Sequence, residues 1–140
     1  PLREFLAQGA HVSLPNEAEW EKAAKGSDGR IYPWGNQIQS QRANIASSGT
    51  LPVGSFHCPE CLFDLADMSG NVWEWTRSAY QDYPFDSTNS RVDLSEDALW
   101  VMRGGSYNDD GNNARAAVRG AADPGVRRPF IGFRVVISKQ

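Results

Sequence analysis

The sequence predicts an α+β fold in which two short helices precede a small twisted antiparallel sheet that carries long loops. Three observations predict it: an early amphipathic segment has capping residues, short β-branched or aromatic stretches follow residue 70, and Gly- and Pro-rich turns separate those stretches. The chain has 140 residues, of which 40% are hydrophobic. Because this is enough apolar material for one core, residues 1–140 are expected to form a single domain.

The two helices are predicted over residues 2–8 and 16–26. Each has a small apolar face, formed by Leu2, Phe5 and Leu6 in the first and by Trp20, Ala23 and Ala24 in the second. In the second helix, Asn16 is placed as the N-cap, and Glu19 supplies the third-position carboxylate of a capping box. Gly26 lies where a left-handed residue would end this helix.

Strands are predicted in four short stretches, which cover residues 71–76, 99–102, 116–119 and 133–137. In the first stretch Trp73 and Trp75 alternate with Val72 and Glu74, so that strand has one aromatic face. Two tryptophans on one face of a strand more often fill a core than bind a ligand. We therefore expect both to be buried.

Charge and hydropathy argue against two classes of function. A net charge of −3 disfavours a nucleic-acid partner, because phosphates are neutralised by clustered Lys and Arg. No apolar run approaches the roughly 20 residues that cross a bilayer, and the N-terminal stretch PLREFLAQGA lacks the basic start and apolar core of a signal peptide. The chain begins without Met inside a predicted helix. We therefore expect that an N-terminal segment of the same protein, which would pack against this chain, is missing from it.

The only two cysteines, Cys58 and Cys61, have a spacing that suits a redox pair, half of a zinc site or a local disulfide. A closed zinc site needs four ligands, and because His11 and His57 are the only histidines it would have to recruit a carboxylate. A redox pair would need a strand-then-helix context, which is missing around the two residues. A loop disulfide, or a pair of buried thiols, is the favoured interpretation.

Six motifs occur in one order over nearly the whole chain: LPNEAEWEKAA at 14–24, YPWGN at 32–36, ANI at 43–45, DMSGNVWEW at 67–75, RGGS at 103–106 and GFR at 132–134. In this order they resemble the motifs of the formylglycine-generating enzyme family. The resemblance implies a variant of the C-type lectin fold. Family members also have an N-terminal strand and helix before the first motif, which this chain does not contain.

Several motif residues have structural explanations. The glycines of RGGS, and Gly132 before the last strand, allow close backbone approach where a Cβ would clash. Arg134 is expected to form buried, charge-assisted hydrogen bonds to turn carbonyls or to a carboxylate. These residues are therefore interpreted as parts of the scaffold.

The resemblance implies an active site of two copper-binding cysteines just after RGGS, but the sequence there is YNDDGNNA. Without thiolates, neither copper ligation nor thiol oxidation is expected at this place. Cys58 and Cys61 lie on a different loop, before GNVWEW, and do not replace the pair by position. The sequence therefore predicts a chain that is not an enzyme and binds no copper.

A calcium site is the one metal site that the resemblance implies. Its ligands would be Asp67, the carbonyls of Gly70 and Val72, and Glu74, and this set suits a hard cation that prefers oxygen. In the alternative, Asp67 only stabilises its turn, and Glu74 pairs with an arginine. Both interpretations stay open from the sequence.

Residues 103–138 use a restricted alphabet, with no Lys, Glu, Gln, Met or Trp, although all five types occur elsewhere in the chain. Many non-enzymatic relatives resemble variable proteins of diversity-generating retroelements, in which template adenines become any base. Mutated AAC or AAT codons cannot yield these five residue types. The resemblance therefore implies that 103–138 is a variable region. The alternative is a polar loop that lacks them by chance.

Within this region, residues that the scaffold needs can be separated from changeable ones. The expected frame consists of Ala114, Arg115, Ala116, Ala117, Arg119, Pro124 and Arg127. The changeable positions, which are the predicted ligand-binding residues, are Tyr107, Asn108, Asp109, Asp110, Asn112, Asn113, Val118, Gly120, Ala121, Ala122, Asp123, Val126, Arg128, Pro129 and Phe130. Loops on a rigid scaffold can change their side chains without disturbing the core.

The sequence thus predicts a non-catalytic, retroelement-diversified variable protein that binds a protein or another macromolecule through residues 107–130. The alternative is a formylglycine-generating or sulfatase-modifying enzyme, or its inactive paralogue.

Overall fold

The fold is described by a computed structural model for residues 2–7, 9–84 and 98–139. The regular elements in chain order are α1 (Leu2–Ala7), β1 (Ala10–Ser13), α2 (Glu17–Lys25), β2 (Trp73–Ala79), β3 (Trp100–Arg103), β4 (Arg119–Ala122), β5 (Ile131–Phe133) and β6 (Val136–Lys139). Two single 3₁₀ turns, Ser40–Arg42 and Leu62–Asp64, lie in the long segment between α2 and β2. None of the helices in the described ranges has the length and apolar character that a bilayer crossing requires.

Helix α2 forms where its capping residues predict it. The Asn16 side chain accepts a hydrogen bond from the Glu19 amide at 2.8 Å, and the Glu19 carboxylate accepts one from the Asn16 amide at 2.7 Å. Gly26 ends the helix with a φ of 64°, as expected for a glycine cap, although its ψ of −140° is outside the left-handed helical region. The predicted apolar face is confirmed, because Trp20 and Ala24 are buried and Ala23 packs beside them. For α1, the predicted face falls partly outside the described side chains, and Leu6 is exposed.

The strands form two sheets. β1 pairs with β6 in a two-stranded antiparallel sheet, and the main sheet has the order β4-β3-β2-β5. The α+β class is confirmed, but the main sheet is mixed because β5 runs parallel to β2. The physical reason is a crossover: the chain leaves β4 at one edge and reaches β5 at the other through residues 123–130. It therefore enters β5 in the direction of β2.

The bounds of all four predicted strands differ from prediction, two of them substantially, and β1 was not predicted. The predicted strand 116–119 is β4, shifted to Arg119–Ala122, because Arg103 donates hydrogen bonds to the carbonyls of Ala116 (2.8 Å) and Ala117 (3.1 Å). Those carbonyls are therefore not available to a ladder. The predicted strand 133–137 divides into β5 and β6 because Arg134, between them, turns into the interior.

The core consists of two clusters. Under α2, Trp20 and Ala24 pack against Met68 and Ala116, all less than 3% exposed. In the second cluster, Tyr32 and Trp34 stack with ring centroids 5.2 Å apart, next to Ala43. Cys58 and Cys61 form a disulfide that packs against this second cluster, which is the loop disulfide favoured from the sequence.

Candidate ligand-binding surface

The main sheet has two faces of opposite character, because side chains alternate along each strand. The face toward α2, here called the helix face, carries Glu74, Thr76, Val101 and Arg103, which are all less than 7% exposed. The other face, here called the groove face, carries Trp73, Trp75, Met102, Ile131 and Phe133. The expectation that both tryptophans are buried is therefore wrong, because the polar side of β2 is the buried one and Trp73 and Trp75 are only half-buried.

The charged side chains of the helix face, Glu74 and Arg103, each pair with side chains of opposite charge. Arg103 is fully buried, bonds to Glu17 (3.3 Å) and Glu21, and lies 5.4 Å from the centroid of the Trp20 ring. Burial raises the pKa of Glu21, but its bonds to Lys25 and Arg103 outweigh this effect and lower the pKa from its usual value. The ionised carboxylate is thus favoured by the fold.

Arg119 fastens β4 to α2. Its Nε and Nη2 donate to the two oxygens of Glu17 at 2.5 and 2.8 Å, and its guanidinium stacks over Tyr80 and Tyr83. Burial lowers the pKa of Arg119, but the bond to Glu17 reverses this and leaves the pKa raised. Arg103 is the last residue of β3 and Arg119 is the first residue of β4. Because both bond to Glu17, one carboxylate of α2 holds both strand ends.

The first loop of the variable region, residues 107–113, is held by its main chain. The amides of Ala46 and Ser47 donate to the carbonyls of Asp109 and Tyr107, both at 2.8 Å. Gly105, with a φ of 70°, allows this loop to approach, since a Cβ there would lie 2.8 Å from the Asn113 carbonyl oxygen. The loop can thus keep its shape while its exposed side chains change.

Asp109 is an exception within this loop. Its Oδ2 accepts hydrogen bonds from the Trp73 indole (2.9 Å), the Ser106 hydroxyl (2.6 Å) and the Ser106 amide (3.0 Å). Its Oδ1 accepts another from Asn113 at 3.2 Å. Asp110 instead closes its own turn by accepting from the Asn112 amide at 2.8 Å. The predicted site residue Asp109 therefore holds the loop to β2.

The second loop, residues 123–130, crosses the sheet on the groove face. Arg127 donates to the carbonyls of Pro124, Gly125 and Val126 at 3.0 to 3.2 Å, and so fixes the loop from within, as expected of a frame residue. The carboxylate of Asp123 accepts from the Gly125 amide at 2.6 Å. Arg128 donates only to the Arg127 carbonyl and is exposed.

Both loops meet at Trp73. Its indole bonds to Asp109 and its amide donates to the Phe130 carbonyl at 2.8 Å, while a Cβ on Gly120 would lie 3.1 Å from its ring. Gly120 and Ala122 share the groove face, whereas Ala121 pairs with Val101 and points to the helix face. Ala121 is thus separated from the other predicted site residues.

Exposure is consistent with the predicted set as a whole, since none of its fifteen residues is buried. The seven exposed ones are Asn108, Asp110, Asn112, Asn113, Asp123, Arg128 and Pro129. The eight half-buried ones are Tyr107, Asp109, Val118, Gly120, Ala121, Ala122, Val126 and Phe130. Of the expected frame residues, Ala114 and Ala116 are fully buried and Arg119 is half-buried, whereas Arg115, Ala117, Pro124 and Arg127 are exposed.

A groove of about 720 Å³ lies between the second loop and β5. Its walls and floor include Trp75, Val126, Arg128, Pro129, Ile131 and Phe133. Sequence reasoning missed Trp75, Ile131 and Phe133 because they lie outside the changeable positions. The signal that could have found them is the alternation of side chains along β2 and β5. Trp73 pairs with Ile131 and Trp75 with Phe133, so all four side chains lie on one face of the sheet.

The predicted calcium ligands surround a turn that already has protein partners. Both Glu74 oxygens accept from Arg134, at 2.6 and 2.7 Å, and one also accepts from the Trp20 indole at 2.6 Å. Asp67 accepts from the Gly54 amide at 2.8 Å. Arg134 also reaches the Ala66 carbonyl at 3.1 Å, so its expected bonds to a carboxylate and to turn carbonyls are confirmed.

The arrangement of Glu74 supports the alternative in which this carboxylate pairs with an arginine. Within the described ranges, no group of three or more His, Cys, Asp or Glu side chains could hold a metal ion. An ion at this turn would therefore depend on the carbonyls of Gly70 and Val72 and would share Glu74 with Arg134. Calcium binding at Asp67, Gly70, Val72 and Glu74 stays a prediction.

Comparisons with curated proteins identify relatives of different activity. The chain is 37% identical over 126 residues to the serine/threonine-protein kinase Pkn1 of Chlamydia trachomatis, covering 86% of this chain and 20% of Pkn1. It is 35% identical to the inactive C-alpha-formylglycine-generating enzyme 2 of Mus musculus, with 89% and 42% covered, and 32% identical to the formylglycine-generating enzyme of Mycobacterium tuberculosis, with 93% and 52% covered. The chain thus spans about half or less of these relatives.

Solved structures show the same fold. The variable protein 1 of Treponema denticola superposes with a TM-score of 0.72 at 29% identity, covering 89% of this chain and 46% of that one. PvdO from Pseudomonas aeruginosa gives a TM-score of 0.75 at 27% identity, covering 94% and 55%. These matches confirm the C-type lectin fold of the formylglycine-generating type. The sequence model of the sulfatase-modifying factor enzyme 1-like domain matches residues 4–139, so the chain belongs to the formylglycine-generating enzyme family.

Proposed function

We propose that this chain is a non-catalytic ligand-binding domain, diversified by a retroelement, that binds a protein or another macromolecule through residues 107–130. The observation that carries the proposal is that residues 103–138 contain two kinds of position, some that stabilise the scaffold and others that face solvent at least in part. Arg103, Arg119, Ala114 and Ala116 supply ion pairs or core packing, whereas the predicted ligand-binding residues are exposed or half-buried. Similarity to a protein that is called a variable protein supports the same function.

The scaffold supports the proposal because most of the bonds that fasten it come from main-chain groups and frame residues, with the changeable residue Asp109 as the main exception. Main-chain bonds from Ala46 and Ser47 hold the first loop, and Arg127 holds the second. Side chains such as those of Asn108 and Arg128 can then be replaced at little cost to the fold. Asp109 and Gly120 are constrained by their contacts with Trp73, and we expect fewer changes at these two positions.

The competing function is formylglycine generation or a role as its inactive paralogue, and relatives of both kinds exist. Against enzymatic activity, the two cysteines of the chain are joined to each other in a loop before β2. Oxidation of a Cys-x-Pro-x-Arg peptide after copper loading would establish the enzyme and refute our proposal. We expect no product in this assay.

The genomic test is more direct. We expect the DNA that encodes residues 103–138 to lie near a reverse transcriptase gene and a near-copy of this segment that differs only at adenines. The mismatches should fall on the codons of the fifteen predicted residues and spare those of Arg103, Arg119 and Ala116. Absence of both the copy and the reverse transcriptase would refute diversification.

A further inference from the structure

The groove beside the second loop combines an apolar floor with an unmatched positive rim. Trp75 and Phe133 are neighbours in the β2–β5 register, and Phe133 is 68% exposed. An exposed aromatic side chain of this size, next to a half-buried tryptophan, is typical of a surface that a partner covers. The volume of about 720 Å³ lies within the range of roughly 300–1,000 Å³ found for ligand pockets.

Charge on the rim indicates the sign of the partner. Arg127 and Arg128 donate only to main-chain carbonyls, and neither has a carboxylate partner among residues 2–7, 9–84 and 98–139. This contrasts with Arg103, Arg119 and Arg134, which all pair with Glu. The nearby Asp123 is used by its own turn, where it accepts from the Gly125 amide. Two guanidinium groups thus remain for an anion.

Two further features favour an extended chain over a compact ligand. β5 is the last strand of its sheet within the described residues, so a peptide strand can add at its outer edge beside Phe133, next to the Ile131 amide that already donates to the Arg128 carbonyl at 3.1 Å. The Trp75 indole also lacks a hydrogen-bond partner in that part of the chain, in contrast to the indoles of Trp20, Trp34 and Trp73. It can donate to a peptide carbonyl.

Resting on the proposed ligand-binding function, we propose that this groove binds an extended acidic segment of a partner protein. In that segment an aromatic or branched apolar side chain lies next to a carboxylate. The apolar side chain occupies the floor formed by Trp75, Ile131 and Phe133, and the carboxylate pairs with Arg128 at the rim. The floor belongs to the fixed scaffold, so the groove keeps its preference for an apolar side chain. Arg128 is a changeable position, so substitutions there alter which charged side chain the rim binds.

The test is selection of a random peptide library on phage with the full chain, followed by titration of the enriched peptides by fluorescence anisotropy. We expect enriched peptides to contain Asp or Glu beside an aromatic or branched residue. Arg128→Glu should weaken the affinity for these peptides about tenfold or more, because the attraction between the arginine and the peptide carboxylate becomes repulsion between two carboxylates. A peptide with Lys in place of its acid should bind the Arg128→Glu variant better than the original chain.

Matched controls separate binding from folding. Arg115→Glu changes an exposed arginine that also bonds only to a main-chain carbonyl, at 2.8 Å, and does not line the groove. Phe133→Ala should weaken the affinity for the peptides. Val135→Ala, which truncates another exposed apolar side chain, should leave that affinity unchanged. All four variants should melt close to the original chain.

Several outcomes would overturn the inference. Enriched peptides without carboxylates, or binding that survives both Arg128→Glu and Phe133→Ala, would exclude this groove while leaving ligand binding by other parts of residues 107–130 intact. Enrichment of no peptide would exclude a peptide-binding groove. Displacement of the peptides by a single-stranded oligonucleotide would point to a nucleic-acid surface, since such surfaces also combine aromatic and basic side chains.

Discussion

The two faces of the main sheet, although built from the same strands, differ in the polarity of their side chains and in how far those side chains are buried. On the helix face, buried Glu74 and Arg103 pair with Arg134, Glu17 and Glu21, and α2 covers them. On the groove face, aromatic side chains are only half-buried, and Phe133 is largely exposed. The polar face is therefore the closed one, and the apolar face is left to the loops of residues 103–138.

This difference determines which changes the fold can tolerate. Buried charges need every partner, because removal of one leaves the other uncompensated in a medium that solvates it poorly. Exposed side chains on loops with fixed main chains have no such requirement. A segment that must vary its surface can therefore do so only if its residues on the helix face stay constant.

The largest expected effect is at Arg103, on the helix face. Arg103→Met should lower the free energy of unfolding by about 3–5 kcal/mol, because Glu17 and Glu21 lose a buried partner. Arg128→Met, the matched change on the groove side, should stay within about 0.5 kcal/mol. Urea denaturation measures both, and equal losses would contradict the distinction between the two faces.

A smaller effect is expected at Gly105, which lies between β3 and the first loop. Gly105→Ala should destabilise by about 1–3 kcal/mol, because its φ of 70° is unfavourable for alanine and the new Cβ would meet the Asn113 carbonyl. Gly49→Ala is the control, since nothing lies within 4 Å of a Cβ there. Thermal melting compares the two variants, and a neutral Gly105→Ala would mean that the first loop is not held as described.

The helix face should contribute to the pH dependence of stability through Glu21. Because the fold lowers the pKa of Glu21, this carboxylate stabilises the protein above its unfolded pKa of 4.5, and that contribution is lost as the pH falls through the lower folded value. Glu21→Gln should therefore flatten the loss of melting temperature below about pH 4.5. Glu60→Gln, at an exposed pair with Arg42, should leave the slope close to that of the original chain. A steeper loss of melting temperature with falling pH in Glu21→Gln would contradict the lowering of the Glu21 pKa by the fold.

Calcium should give the smallest effect. If the ion binds Asp67 and the carbonyls of Gly70 and Val72, added calcium raises the melting temperature slightly and EGTA reverses the rise. Asp67→Asn should reduce this response. An unchanged melting curve would exclude the site and leave Glu74 as a partner of Arg134 and Trp20 alone.

The sequence predicted features whose causes are local or lie within a motif. Asn16 and Glu19 formed the capping box, the glycines of RGGS accommodated close backbone approach, and Arg134 found its carboxylate. These features depend on neighbouring residues or on strong residue preferences. The motifs, in their order, were sufficient to identify the family and its fold.

Long-range partners set the limit of prediction. Glu74 is buried only because Trp20 and Arg134, 54 and 60 residues away along the chain, satisfy its carboxylate. Composition placed Asp109 among the changeable residues, but its carboxylate bonds to Trp73, 36 residues earlier. The crossing of residues 123–130 over the sheet, which creates the groove, follows from the parallel β2–β5 pairing and has no local signal.

A fixed frame interleaved with a changeable surface is tested most directly by a saturation mutagenesis scan of residues 103–138, read out as resistance to proteolysis on the yeast surface. We expect almost no substitution to be tolerated at Arg103, Gly105, Ala114, Ala116 and Arg119. Asn108, Asn112, Asp123, Arg128 and Pro129 should accept most substitutions, and Asp109 and Gly120 should lie between the two groups. Equal sensitivity of the two groups would contradict the claim that a fixed frame and a changeable surface are interleaved in this segment.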